Sequence, residues 1–581
     1  MQLSWARRNL KLTEAAKLRS LLRENGGDDP ATFGILLKKY QSQLSPAECV
    51  HAAAVLNGIC TRERNTLELP INFADVQAML SSNIRGKLYA LTEPSELCEV
   101  TIGAFNHAVA SKGLVTDFVG RLEPLFPRVR GQALSQVCDT LVYLHLAGYR
   151  TVPVCSKLFA HIAARGSHSD LTPSNYVALV RCMAKTGVRN DSLCARVGHG
   201  LRSVLTLPGR ISPEDAGELL QWYSSDMFDS IFIRHRLIDA VLSAGDVTME
   251  ALARCTLAGV FPTRNIDRID ALVIEGCANL ETKTTLRLLS GYAALRYKPP
   301  EVIERLLETL KADVKKMRNF SDVASCIYSI YLLDTKERTL IDFSMSFLKN
   351  DQAPLSAKDL SDIVKVLGAL LHFRTKDVEA YNRLLRETMR LDCSLTHGEL
   401  NRLQLVSIGL WKLMPELFNS FDVGAQEYLV EIAHRTSPEP LEMRDCDFQK
   451  EVSKTVTFVS YTLYKEVQVG PMLVDFVRPV GEEEVADLRN RDIRRPRIRE
   501  LHEERMLAGQ LINCATILIA DGRDQFYRNS RERTADSKMK LDVLRGLGFR
   551  YLCVPYWEWE PLPGWNDKRR YMENLLSLPK G

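Results

Sequence analysis

From about residue 40 to about residue 435, apolar residues recur at spacings of three and four, in blocks about one helix long. In LTPSNYVALVRCMAKTG (171–187), Tyr176, Leu179, Val180 and Met183 fall on one face of a helix. The break TGVRND follows, and then a second periodic block, SLCARVGHGLRSVL. The alternation typical of strands is essentially missing from this region, so the pattern predicts pairs of antiparallel helices.

The pairs repeat. An apolar residue followed by Ser or Thr opens each unit, at Leu44, Leu134, Leu171, Ile211, Val247, Phe320, Leu355 and Leu395, with a weaker copy at Leu280 and Thr282. The units are ~33–40 residues long, as in helical repeat arrays. Each Ser or Thr is expected to accept a hydrogen bond from the free N–H groups of a first helical turn, and the apolar residue to pack back onto that helix. Pro173 and Pro213 suit first-turn positions, where a missing N–H costs little. A lone hairpin cannot bury its apolar face, so the units are predicted to stack into an α-solenoid.

After AHRTSPEPLEMRDCD (433–447) the texture changes. KTVTFVSYTLY suits a helix or a strand. KEVQVGPMLVDFVRPV (465–480) reads as a hairpin turning at Gly470-Pro471, and CATILIADG (514–522) as a buried strand. DSKMKLDVLRGLGF reads as a helix stopped by glycine, RYLCVPYW as another strand and KRRYMENLLSL as a closing helix. The expected fold class is therefore mostly α, an α-solenoid of helical-hairpin repeats followed by a small C-terminal α/β domain. The expected boundaries are a basic N-terminal segment (1–40), the repeat array (41–435), a linker (436–454) and the α/β domain (455–581).

Composition narrows the function classes. The 581 residues are 45% hydrophobic and 25% charged, with a net charge of +4, so a polyanion must be met by a local patch. The 14 cysteines are scattered, with no C-x-x-C and no Cys/His pairing of zinc-site spacing. Buried, reduced thiols are expected. No apolar run approaches the ~20 residues that cross a bilayer. In MQLSWARRNLKLTEAAKLRSLLR, Arg7, Arg8, Lys11, Lys17, Arg19 and Arg23 face only Glu14. This basic amphipathic stretch suits an organelle transit peptide or the first helix of the fold. There is no Gly-rich phosphate loop, kinase signature set or hydrolase nucleophile elbow.

Four stretches in order, VDF (474–476), ADGRDQFYRN (520–529), KMKLDVLRGLGFRYLCVPYWEW (538–559) and KRRYMENLL (568–576), resemble the RAP domain of organellar RNA-processing proteins. The array before it is similar to the helix-pair repeats of octotricopeptide-repeat proteins and of relatives of the Fas-activated serine/threonine kinase family. The resemblance implies a restriction-endonuclease-like fold for the domain and RNA binding in a mitochondrion (matrix) or a plastid. It also implies work on ribosomal or messenger RNA: transcript processing and stability, or ribosome structure and assembly, alongside other proteins of organellar ribonucleoprotein complexes.

A metal-dependent ribonuclease needs two carboxylates around a divalent ion and a lysine to orient water. Asp475, Asp521 and Lys538 (or Lys540) are the candidates. The family often reads IEIDG where this chain reads LIADG, so Ile519 replaces an acid, and Gln525 stands in place of the usual His before Phe526. No metal and no cofactor are expected. RNA binding asks for cations along phosphates and rings against bases. Arg489, Arg491, Arg494, Arg495, Arg497 and Arg499 form one basic run, and Arg523, Arg528, Arg531 and Arg533 a second. Lys538, Lys540 and Trp559 complete the expected RNA-binding set. Tyr556 and Trp557 are expected to pack in the core, and Trp559 and Trp565 to reach solvent. The leading expectation is a non-catalytic RNA-binding protein. A metal-dependent endoribonuclease and a protein–protein scaffold are the alternatives.

Overall fold

The computed structural model describes residues 17–23, 30–62, 73–107, 112–165, 171–206, 210–223, 230–350, 353–435, 447–459, 464–478, 516–528 and 530–577. The chain divides into two units, Met1–Val247 and Thr248–Gly581. The expected layout, a helical repeat array followed by a small α/β module, is what is found.

In the first unit, helices Pro46–Arg62, Pro94–Asn106, Gly131–Leu146, Pro173–Thr186 and Pro213–Tyr223 stack in succession. Their partners, Phe73–Leu88, Lys112–Leu125, Val152–Ala164, Asp191–Leu205 and Ile231–Leu242, form a second layer. The second unit repeats this plan. Met249–Leu257, Thr282–Ala294, Phe320–Leu332, Leu360–His372, His397–Leu413 and Val423–His434 stack as one layer. Leu360–His372 shows why the helices stack: Ile363, Val364, Val366, Leu367, Leu370 and Leu371 are all buried, so both flanks of the helix need a neighbour.

Capping follows the expected chemistry at most units. Ser45 and Glu48, and Thr396 and Glu399, bond reciprocally across a first turn. Thr172 forms the same box with Asn175, and Ser212 and Thr248 accept from Asp215 and Ala251 N–H groups. Two expected caps are displaced. Ser135 lies inside a helix that already begins at Gly131, and Ser321 lies one turn-position inside a helix capped by Asn319. At the weaker copy, Thr282 is the first helical residue and caps nothing.

The C-terminal module contains strands β1 (Tyr464–Val469), β2 (Met472–Arg478), β3 (Thr516–Asp521) and β4 (Arg550–Pro555) in that spatial order. β1, β2 and β3 pair antiparallel, and β3 and β4 pair parallel. Gly470, at φ 57°, and Pro471 make the expected hairpin turn. Numbered within this module, the helices are α1 (Asp447–Val459), α2 (Ala535–Gly546), α3 (Tyr556–Trp559) and α4 (Trp565–Ser577). The parallel β3–β4 pair needs a crossover, and α2 supplies it.

One face of the sheet is packed by Leu541, Val543, Leu544 and Leu547, around Ile517 and Ile519. The other is packed by Val452, Val456, Trp559 and Met572, around Phe476, Leu518 and Val554. Helix α1 begins inside the stretch read as a linker and packs into the module core. KTVTFV is thus helical through Val459.

Candidate nucleic-acid interface

The expected RNA-binding set separates into four groups. Arg489, Arg491, Arg494, Arg495, Arg497 and Arg499 lie outside the described residues. Trp559 is a correction: it is 1% exposed, and its indole N–H donates to Glu451 at 3.0 Å. Pro555 ends the strand as expected, but the chain then coils into α3, whose turn carries Trp559 back into the core. Trp565, by contrast, does reach solvent.

Lys538 and Lys540 point away from one another. The Lys538 ammonium pairs with Asp334 of the repeat array and with Glu532. Lys540 is half-buried and donates to the Leu473 carbonyl at 2.8 Å. Burial holds its ammonium below the usual lysine range, with Asp475, Asp521 and Asp524 opposing that shift.

The nuclease constellation of Asp475, Asp521 and Lys538 is therefore not assembled. Asp475 and Asp521 are both buried. Asp475 accepts the Ala520 N–H at 2.9 Å, and burial pushes its carboxyl up to about 6. Asp521 is held by both terminal nitrogens of Arg533, one of them at 2.9 Å. Ile519 shares the Asp521 face of β3 and is packed in the apolar cluster beneath α2. A divalent ion takes several oxygen ligands. Here one carboxylate is occupied by a guanidinium, the other is biased toward its neutral form, and a butyl side chain stands where the family often has an acid. These residues do not fit such an ion.

Arg523, Arg528 and Arg531 are exposed, as their chemistry requires. Arg528 lies over the Phe261 ring, beside a cleft of about 750 Å³. The cleft sets Lys298, Lys311, Lys336 and Arg528 against Glu304, Glu308, Glu337 and Glu532, so it offers a polyanion no net attraction.

The other two arginines flank an aromatic group that sequence patterning assigned to the core. Tyr556 and Trp557 are half-buried, and their ring centroids lie 5.2 Å apart in an edge-to-face arrangement. The buried Phe526 ring sits 4.3 Å from Trp557 and supports it. Arg523 lies 4.8 Å from the Tyr556 centroid and Arg531 5.9 Å from that of Trp557. Arg523 also pairs with Glu560 at 2.5 Å. An exposed pair of this kind is worth ~0–1 kcal/mol, so an incoming phosphate displaces it cheaply. Arg531 has no ion-pair partner among the described residues. The patch thus combines two half-exposed rings with two exposed planar cations, which suits a flat, anionic ligand.

Among the described residues, no group of three His, Cys, Asp or Glu side chains is arranged to hold a metal, and no helix is long and apolar enough to cross a membrane. The architecture is that of a helical-repeat chain ending in an α/β module with a cationic, aromatic edge. Residues 519–575 match the family model of the RAP domain, a module generally associated with RNA binding. No curated protein matches the chain.

Proposed function

We propose that this protein binds single-stranded RNA without cutting it, through the Tyr556–Trp557–Arg523–Arg531 patch of its RAP domain. The observation that carries this reading is the pairing of exposed arginines with half-exposed rings on the matched module. Aromatic platforms hold bases for ~1–3 kcal/mol each while cations follow the phosphates, and every base has a π-face to offer. Recognition of that kind tolerates many sequences. The chain is proposed to work on ribosomal or messenger RNA in a mitochondrion, in ribosome structure or assembly or in transcript processing and stability. The basic, acid-poor stretch Arg7–Arg23 supports that location. The stacked repeats supply a long surface for companion proteins of a ribonucleoprotein complex.

The test is equilibrium binding of the full chain to a labelled oligouridine across a salt series. Trp557→Ala is expected to weaken binding by ~1–3 kcal/mol. Arg531→Ala is expected to weaken it and to lower the salt slope by ~0.7, the share of one phosphate contact on a single strand. A wild-type chain without affinity for the oligonucleotide at low ionic strength would overturn the proposal.

A further inference from the structure

Among the described residues, three that are not glycine hold a positive φ: Arg296 at 52°, Asp334 at 48° and Arg374 at 55°. Each stands two residues past the end of a stacked helix: Thr282–Ala294, Phe320–Leu332 and Leu360–His372. The backbone closes the helix in the same way each time. Tyr297 N–H bonds back to Tyr292 at 3.1 Å, Thr335 N–H to Ile330 at 3.0 Å and Thr375 N–H to Leu370 at 3.2 Å. The turn after Gly131–Leu146 has the same closure, from Tyr149 to Leu144 at 3.0 Å, but its left-handed residue is Gly148. Gly259 fills that place after Met249–Leu257. A Cβ at Gly148 would meet nothing within 4 Å, so conformation alone favours glycine there. At three corners the sequence forgoes glycine and accepts strain for the sake of a side chain.

All three side chains meet the RAP-containing module. The Arg296 guanidinium donates to the Asp524 carbonyl, and the Arg296 carbonyl accepts the Arg528 N–H at 2.7 Å. Asp334 takes the Lys538 ammonium on one side and His372 at 2.8 Å on the other. Arg374 reaches Asp542 at 3.1 Å. Lys538 and Asp542 lie one turn apart on α2, so successive corners of the array match successive turns of that helix in alternating charge. Between them, the Tyr527 hydroxyl donates to the Leu332 carbonyl at 2.8 Å. The loop from Arg523 to Arg533 is therefore fastened at Asp524, Tyr527 and Arg528. Those fastenings leave Arg523 and Arg531, the cations beside the rings, pointing outward.

We propose that Arg296 and Asp334 are positioning residues for RNA binding: the left-handed corners of the last repeats hold the arginine-bearing loop in its binding geometry. This rests on the reading of the aromatic patch as the RNA site. Neither residue is required to touch RNA, and that separates the idea from an extended basic surface.

Arg296→Gly removes the side chain, keeps the carbonyl and relieves the left-handed strain. In the full chain without RNA, the amides of 523–533 are expected to exchange hydrogen about fivefold faster, with the repeats unchanged. Affinity for oligouridine is expected to fall by about the same factor, with the salt slope as in wild type because no phosphate contact is lost. Arg296→Lys, which keeps a donor, is expected to restore most of both. Asp334→Asn, which keeps the bond to His372 and loses the charge facing Lys538, is expected to loosen the same amides.

Unaltered exchange in both Arg296→Gly and Asp334→Asn would overturn the proposal. A lowered salt slope in Arg296→Gly would also overturn it, by showing direct phosphate contact. Exchange is read without RNA, so a wild-type chain that fails to bind RNA removes the reading of the patch and leaves the fastening of the loop measured on its own.

Discussion

At the scale of single residues, the buried polar groups under α2 separate stability from chemistry. The Asp475 carboxyl is raised to about 6 by burial, against the pull of the Ala520 N–H and the Lys540 ammonium, with Asp521 adding repulsion. A carboxyl raised in the folded state contributes stability that is complete below its unfolded pKa and is lost as pH rises through about 6. Asp475→Asn keeps an acceptor for the Ala520 N–H and carries no charge. At pH 8 the variant is expected to be more stable than wild type by about 1–3 kcal/mol, the upper end being two pKa units and the lower allowing for the counter-charge Lys540 forfeits. The gap is expected to close by pH 4. Urea unfolding at the two pH values measures it, and a wild type that gains on the variant as pH rises would mean that Lys540 holds the carboxylate charged. Asp521, also buried, has a guanidinium partner in Arg533. Arg533→Met strands a buried carboxylate and is expected to cost ~3–5 kcal/mol, whereas Arg533→Met with Asp521→Leu recovers most of that loss. Thermal melts of the single and double variants decide between these outcomes.

At the scale of elements, caps carry a measurable share of each repeat. Thr396 accepts the Glu399 N–H while the Glu399 carboxylate accepts the Thr396 N–H at 2.8 Å. Thr396→Ala is expected to cost ~1 kcal/mol, and Ser321→Ala, at a serine inside a helix capped by Asn319, less than half of that. Denaturant midpoints of the two variants give the comparison. The same contrast shows how much of the fold was legible. An apolar residue, a hydroxyl and a following Pro or Glu mark a helix start because all three act within one turn, so Thr172, Ser212 and Thr396 were readable. Ser135 carried the apolar residue and the hydroxyl but no following Pro or Glu, and its helix had already begun at Gly131, with no side-chain cap. The candidate site divides similarly. The arginines of 523–533 were visible as a run, yet the direction of each depends on loop contacts far along the chain, such as Arg296 to Asp524. Trp559 lies in the core and not in solvent, and Trp557 is only half-buried, because one turn of helix follows Pro555, and a four-residue turn leaves no periodicity to read.

At the scale of the second unit, the repeat array and the α/β module share a core. Ala535 and Met539 of α2 are packed in the same apolar cluster as Tyr331, Leu367, Leu371 and Leu410 of the repeats. Ile408 of helix His397–Leu413 is packed in the cluster that covers the sheet. Gly409 illustrates how close the repeat helices run, since a Cβ there would lie 2.4 Å from the Leu371 side chain. Polar bonds join the same surfaces, with the Tyr331 hydroxyl on Asp536 at 2.5 Å and Arg374 on Asp542. An interface of interlocked apolar side chains couples its two sides, because opening one exposes apolar surface on the other. The region from Phe320 to Ser577 is therefore expected to open as one cooperative body, although the sequence reads as two folds. Native-state hydrogen exchange in increasing denaturant tests this on the full chain: amides of Ala535–Gly546 and of His397–Leu413 should converge on one opening free energy. Met539→Ala should lower both together, by about 2–5 kcal/mol if the cavity does not collapse. Exchange in which Ala535–Gly546 opens at much lower denaturant than His397–Leu413, or in which Met539→Ala affects that helix alone, would show a module that folds by itself and merely rests on the array.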